Sequence, residues 1–167
     1  MSIKTITAVA LLLSTTSAMA TDSPITGSVQ PKCSVYTETQ GVYGNPLPNK
    51  LDTLPASGGT KASIRYDIAQ ANFYLARITH PNSFSSSPTL NDSVAWTGSS
   101  VVGQVSVAGM SAYEAAKVIS PINVTTFDMT LAGSTWFTVS STATYGYNKA
   151  LPAGNYTAII KADCIAK

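Results

Sequence analysis

The sequence predicts an all-β protein, built as a single antiparallel β-sandwich of seven or eight short strands. Three observations lead to this fold class. Short segments alternate between apolar and polar residues, turn residues separate these segments, and helix-like composition is almost absent. The chain has 167 residues, which is enough for one such domain and short for two.

The first twenty residues have the three parts of a cleavable secretion signal. Lys4 provides the positive start, residues 6–13 provide a short apolar run, and Ala18–Ala20 provides the small residues of a cleavage site. The apolar run is well short of the roughly 20 residues that span a bilayer. We therefore expect residues 1–20 to be removed, leaving a secreted mature chain that starts at Thr21 and has no transmembrane segment.

Export gives the two cysteines a structural meaning. Cys33 and Cys164 are the only cysteines, so an oxidising compartment leaves them a single pairing. A metal site would need more ligands and a catalytic thiol would need a base, yet His80 is the only histidine and it lies in a turn. We expect a disulfide that closes a loop of about 130 residues and brings the two ends of the mature fold together.

Alternation predicts where the strands lie within a domain of residues 31–167. The predicted segments are 25–35, 62–68, 72–79, two short strands around Gly98 in 93–107, 123–131, 135–140 and 156–165. Segment 72–79 has apolar residues on both faces and should be a central strand. Residues 40–60 are predicted to be turns, and residues 110–119 hold the only helix-like stretch, at most two turns long. Short strands spaced in this way are typical of an immunoglobulin-like sandwich.

The residue types that most catalysis requires are sparse. Charged residues make up 11% of the chain, and the eight acidic residues are scattered, mostly in turns or on strand exteriors. No serine lies in a nucleophile elbow, and no glycine-rich loop joins a strand to a helix. A paired-carboxylate hydrolase stays open, because spatial pairing is invisible in a sequence. We expect no enzyme activity, no cofactor and no metal, and the absence of Lys/Arg clusters argues against nucleic acid as a partner.

Trp96 is the aromatic residue that the sequence most readily places at the surface, because it ends a predicted strand in the run Val-Ala-Trp-Thr-Gly. A flat exposed ring would suit contact with a sugar. In a sandwich, however, Trp and Tyr are normally core or cross-strand partners. The alternative function that follows is a self-contained secreted binding domain, either an adhesin or a carbohydrate-binding module.

Both ends of the mature chain carry short motifs, and the order of these motifs along the chain is informative. The signal is followed by Ile25-Thr-Gly-Ser-Val29, then by Lys-Cys33-Ser-Val and a Gly41-Val-Tyr-Gly44 turn, and the chain closes on Gly154-Asn-Tyr-Thr-Ala-Ile-Ile. This order resembles the subunits of chaperone–usher pili, or fimbriae, in particular the archaic, spore-coat-protein-U-like branch. In that family the second cysteine usually lies in the next strand, near Arg65–Asp67 here, so Cys164 is a departure from its pattern.

The resemblance implies a structural subunit that passes through the periplasm and polymerises on the cell surface. Such subunits have an incomplete sandwich, which is completed first by a periplasmic chaperone and then, at an outer-membrane usher, by the N-terminal extension of the next copy. Here the donor strand would be residues 21–30, with Ile25 and Val29 as plugs and Gly27 between them. Alternation alone leaves open whether residues 25–35 are instead the first strand of a complete sandwich.

Overall fold

The computed structural model describes residue 26, residues 33–121 and residues 123–167. These residues form ten strands, which confirms the all-β class. The strands are β1 (Cys33–Thr39), β2 (Gly44–Leu47), β3 (Lys50–Asp52), β4 (Ala62–Ile68), β5 (Tyr74–Thr79), β6 (Val94–Val105), β7 (Val118–Ser120), β8 (Val124–Met129), β9 (Gly133–Tyr145) and β10 (Lys161–Ala166). Helix is confined to 3-10 turns at Pro55–Ser57 and Ala108–Ala112 and to one turn of α-helix, α1 (Tyr113–Ala116). The predicted leader and the donor positions Ile25, Gly27 and Val29 lie outside the described residues.

Two antiparallel sheets make up the sandwich. In the first sheet β9 is central, with β6 along one side and β4 and β3 in succession along the other. β1 adds to β4, and β2 adds to β3. The second sheet has the order β10-β5-β8-β7, so β5 is an inner strand, as its apolar faces predicted.

Aromatic side chains fill the space between the sheets. Tyr66, Phe127 and Phe137 are fully buried, and the ring centroids of the two phenylalanines are 4.2 Å apart. Tyr66 stands edge-on to Phe137 at 5.5 Å, and its hydroxyl donates a 2.9 Å hydrogen bond to the carbonyl of Arg77 in the second sheet. Apolar burial and one cross-sheet hydrogen bond therefore act at the same place in the core.

The predicted disulfide is present. Cys33 in β1 is bonded to Cys164 in β10, with their Cα atoms 6.2 Å apart. Each of these strands ends the order of its own sheet. The bond therefore joins one edge of the first sheet to the facing edge of the second.

The structure differs from the sequence prediction in several stretches. The strand predicted over 156–165 begins only at Lys161, the strand predicted over 135–140 extends over Gly133–Tyr145, and the helix-like stretch 110–119 runs into β7.

Two further stretches also differ. Residues 93–107 hold one strand, β6, because Gly98 continues the ladder opposite Ser141 and the irregularity falls later, between Val102 and Gln104. Residues 40–60 were predicted to be turns, yet they contain β2 and β3. Gly44 serves close packing there, since a Cβ atom on it would lie 1.9 Å from the carbonyl oxygen of Ser57.

No helix in the part of the chain that the structure describes is long and apolar enough to cross a membrane.

We expect the Cys33→Ala/Cys164→Ala variant to lose about 4 kcal/mol of unfolding free energy, because the bond closes a very long loop. Urea titration of the oxidised protein and the variant measures this loss. Reduced wild-type protein is the control and should unfold at the variant's midpoint. Equal midpoints for the oxidised protein and the variant would contradict the prediction.

Candidate functional site

A groove runs along the side of the sandwich on which β1 and the C-terminal segment face each other. One wall is formed by residues 37–43 and the other by residues 154–160. It consists of two adjoining cavities of about 360 and 380 Å³, which share Gly41, Thr157 and Ala158 as lining residues. We call this feature the edge groove.

The floor of the edge groove is part of the hydrophobic core. Leu51 from β3 lines one cavity, and Ala62 and Ile64 from β4 line the other. All three side chains are buried by their neighbours. Inward-facing residues of the first sheet thus lie directly beneath an opening at the surface.

The walls offer main-chain groups without a sheet neighbour on the groove side, as far as the described residues go. β1 pairs with β4 alone, and β10 begins only at Lys161. Ahead of it, residues 158–160 belong to no strand, and Thr157 forms a single bridge with Ser86. Ile159 is 57% exposed, a high value for an isoleucine beside the last strand. Such an edge is a template for another extended segment.

An aromatic cluster lies at one end of the groove. This is the end near residues 154–156 of the C-terminal wall, away from the disulfide at Cys164. We define it as Tyr43, Phe84, Trp96 and Tyr156. The ring of Phe84 lies 4.7 Å from that of Trp96, 5.0 Å from that of Tyr156 and 6.5 Å from that of Tyr43. The Tyr43 hydroxyl is 2.9 Å from the hydroxyl of Ser141 in β9. Burial raises the pKa of Tyr43, and this hydrogen bond partly offsets the rise.

Trp96 is half-buried in this cluster rather than standing free at the surface. It lies opposite Ala143, a buried residue of β9, and therefore points to the inner side of the first sheet. It also lines a shallow cavity of about 300 Å³ together with the polar side chains of Asn82 and Ser87. Contact between Trp96 and a sugar stays a prediction.

His80 is packed between the sheets and is only 5% exposed. Its Nε2 atom lies 3.1 Å from the hydroxyl of Ser100 and 3.4 Å from that of Thr125. Its other face touches Gly98, where a Cβ atom would lie 2.6 Å from Nδ1. Burial lowers the pKa of His80, so the neutral ring is the stable form in this site.

Asp52 is a fully buried carboxylate with a structural role. It accepts hydrogen bonds of 2.9 Å from the Leu54 amide and from the Ser57 hydroxyl, and its Oδ2 lies 3.2 Å from the Lys50 ammonium. Burial raises the pKa of Asp52, but these three partners together outweigh burial and lower it. Its bonds hold the turn that brings β3 toward β4. Within the described ranges, no group of three or more His, Cys, Asp or Glu side chains could hold a metal ion.

The structure gathers residues that sequence reasoning did not single out. Leu51 lines the edge groove but carries no chemical signature of its own. The Gly41-Val-Tyr-Gly44 and Gly154-Asn-Tyr motifs were noted only as marks of a family. Their placement on opposite walls of one groove depends on the folded chain.

No family model, no curated protein and no solved structure matches this chain.

His80 makes stability depend on pH. Because its pKa is lower in the folded chain, protons bind preferentially to the unfolded chain below about pH 6.5, the ordinary value for histidine. The unfolding free energy should hold above that pH and fall as the pH drops below it. We expect His80→Gln, which keeps a polar atom near the Nε2 position, to flatten this fall. Urea midpoints between about pH 5 and 7.5 measure it, and equal slopes for both proteins would contradict the assignment.

Proposed function

We propose that this chain is a secreted structural subunit of a surface pilus and polymerises by β-strand addition. Residues 21–30 of one copy would enter the edge groove of the next. The observation that supports this function best is the groove itself, because its floor is core and β1, which leads into one wall, pairs with β4 alone among the described strands.

The chemistry of the proposed donor suits the groove. An inserted strand forms main-chain hydrogen bonds along a wall, and every second side chain points to the floor. Ile25 and Val29 are four residues apart and share one face, with the small Gly27 between them. Burying two aliphatic side chains contributes roughly 3–6 kcal/mol before ordering costs. Main-chain hydrogen bonds add to this burial energy, and they form whatever the side chains of the donor strand are.

The disulfide supports the same function. Bonding Cys33 to Cys164 ties the strands that continue into the two walls. The groove can then stay open without letting the sheets separate along that side. We propose that a periplasmic chaperone covers the groove before assembly at an outer-membrane usher, since an open apolar edge promotes wrong pairing.

A second candidate function is binding of a sugar by a self-contained domain, and the cavity beside Trp96 favours it. An aromatic ring next to Asn82 and Ser87 combines a stacking surface with hydrogen-bonding groups. That ring is already in an edge-to-face contact with Phe84, at 4.7 Å between centroids, which reduces the surface left for a sugar. Neither candidate assigns the chain a catalytic role.

Two variants test strand addition by complementation. Ile25→Asp/Val29→Asp disables the donor and leaves the groove intact. Ala158→Arg places a long charged side chain in the groove and leaves the donor intact. We expect the mature wild-type chain to form polymers and each variant alone to stay monomeric. An equimolar mixture of the two should form a 1:1 dimer, because one functional donor meets one functional groove; analytical ultracentrifugation measures all three.

The matched control is Thr26→Asp/Ser28→Asp, which adds the same charge at positions on the other face of the segment. This control should polymerise as the wild type does. If Ile25→Asp/Val29→Asp unfolds as a monomer, those residues belong to the chain's own core and the self-contained domain is correct. A folded pair of variants that forms no mixed dimer would also overturn the proposal.

A further inference from the structure

The segment from Ala108 to Lys117 covers part of the outer edge of β6. Two residues anchor it in the core: Met110 is fully buried and Tyr113 is 4% exposed. The Tyr113 hydroxyl accepts a 2.9 Å hydrogen bond from the amide of Leu131, and the Thr135 hydroxyl lies 3.4 Å from the Met110 sulfur. The position of the segment is therefore fixed by packing rather than by its own single helical turn.

β6 is an edge strand without the charged or proline residues that protect many edges. It is 12 residues long and pairs with β9 alone among the described strands. Its residues include no charged side chain and no proline. Edge strands are normally kept from pairing with other chains by charges, prolines, bulges or a covering element. This edge carries a bulge near Gly103 and, beside it, the covering segment.

Two side chains of the segment bind the edge directly. The carboxylate of Glu114 accepts a 2.9 Å hydrogen bond from the amide of Val102. The ammonium of Lys117 donates a 3.0 Å hydrogen bond to the carbonyl of Ser100. Glu114 and Lys117 also form an ion pair with each other. Burial raises the pKa of Glu114, but Lys117 and the Val102 amide outweigh burial and lower it, so the group is a carboxylate at neutral pH.

These contacts take the place of a neighbouring strand. In a parallel pair, one residue of the neighbour donates its N–H to the carbonyl of residue i−1 and accepts from the N–H of residue i+1. With Val101 as residue i, those groups are the Ser100 carbonyl and the Val102 amide. Lys117 donates to the Ser100 carbonyl, as the N–H of a neighbouring strand would, and Glu114 accepts from the Val102 amide, as the carbonyl of that strand would.

We propose that the Glu114–Lys117 pair blocks β6 from pairing with the same edge of a second copy of this chain. The second copy is the partner that the edge fits, because two uncharged 12-residue edges match in length and lack repelling groups. This inference does not depend on the pilus function, since a secreted domain of any kind must stay free of edge-to-edge association.

The test compares Glu114→Ala/Lys117→Ala with Ser111→Ala in the full mature chain. Ser111 is the matched control, because it lies in the same segment and its exposed hydroxyl bonds only to the Ala108 carbonyl. Both are also prepared with Ile25→Asp/Val29→Asp, which separates association through the N-terminal segment from association through β6. We expect the double variant to dimerise at least roughly tenfold more tightly than the control in sedimentation equilibrium.

Amide hydrogen exchange locates the effect. In the double variant at low concentration, the Val102 amide should exchange roughly 10- to 100-fold faster than in the control. It should become protected again as dimer forms. A variant that stays monomeric at high concentration, or a Val102 amide that exchanges at the control rate, would overturn the proposal. If the double variant does not fold, Glu114→Ala alone removes the acceptor and is judged by the same two measurements.

Discussion

The constraint on which this structure depends is the pairing of main-chain groups at strand edges. A sandwich leaves a row of N–H and C=O groups at the outer strand of each sheet, and each row is either satisfied or open to another chain. Part of the β6 edge is satisfied by the side chains of Glu114 and Lys117. The edges beside the groove are left without a neighbour among the described residues. The two sides of the sandwich thus differ in how far their edge groups are satisfied within the described residues.

The disulfide lies beside the groove and links its two edges. Opening a sandwich between its sheets exposes core, and here Leu51, Ala62 and Ile64 lie under the opening. The core elsewhere is closed by packed aromatic rings. Cys33 and Cys164 hold the two edge strands together beside the groove, and the residues of its floor stay buried. Among the described residues, this covalent bond is a direct link between the edge strands β1 and β10 of the two sheets.

What could be predicted from the sequence depended on local signals. Alternation located β4, and a single pair of cysteines left one pairing. The sequence predicts a break between two strands at Gly98, but Gly98 continues β6 and makes room for the His80 ring. The three-residue spacing of Glu114 and Lys117 predicts that these two side chains can pair with each other. No feature of the neighbouring sequence predicts that both side chains also bind the main chain of β6. The groove is equally hidden, because it depends on where residues 158–160 stop pairing in three dimensions.

The two proposals together have a consequence for assembly. A contact between a donor segment and a groove elsewhere on the next copy is heterologous, so it repeats in one direction and builds a filament. An unprotected β6 would add a self-complementary contact, which joins copies side by side and branches the filament. Satisfying Ser100 and Val102 from within the chain removes that second contact while leaving the groove free. If the proposed strand addition holds, each copy contributes one donor and one acceptor, so growth with β6 protected is linear.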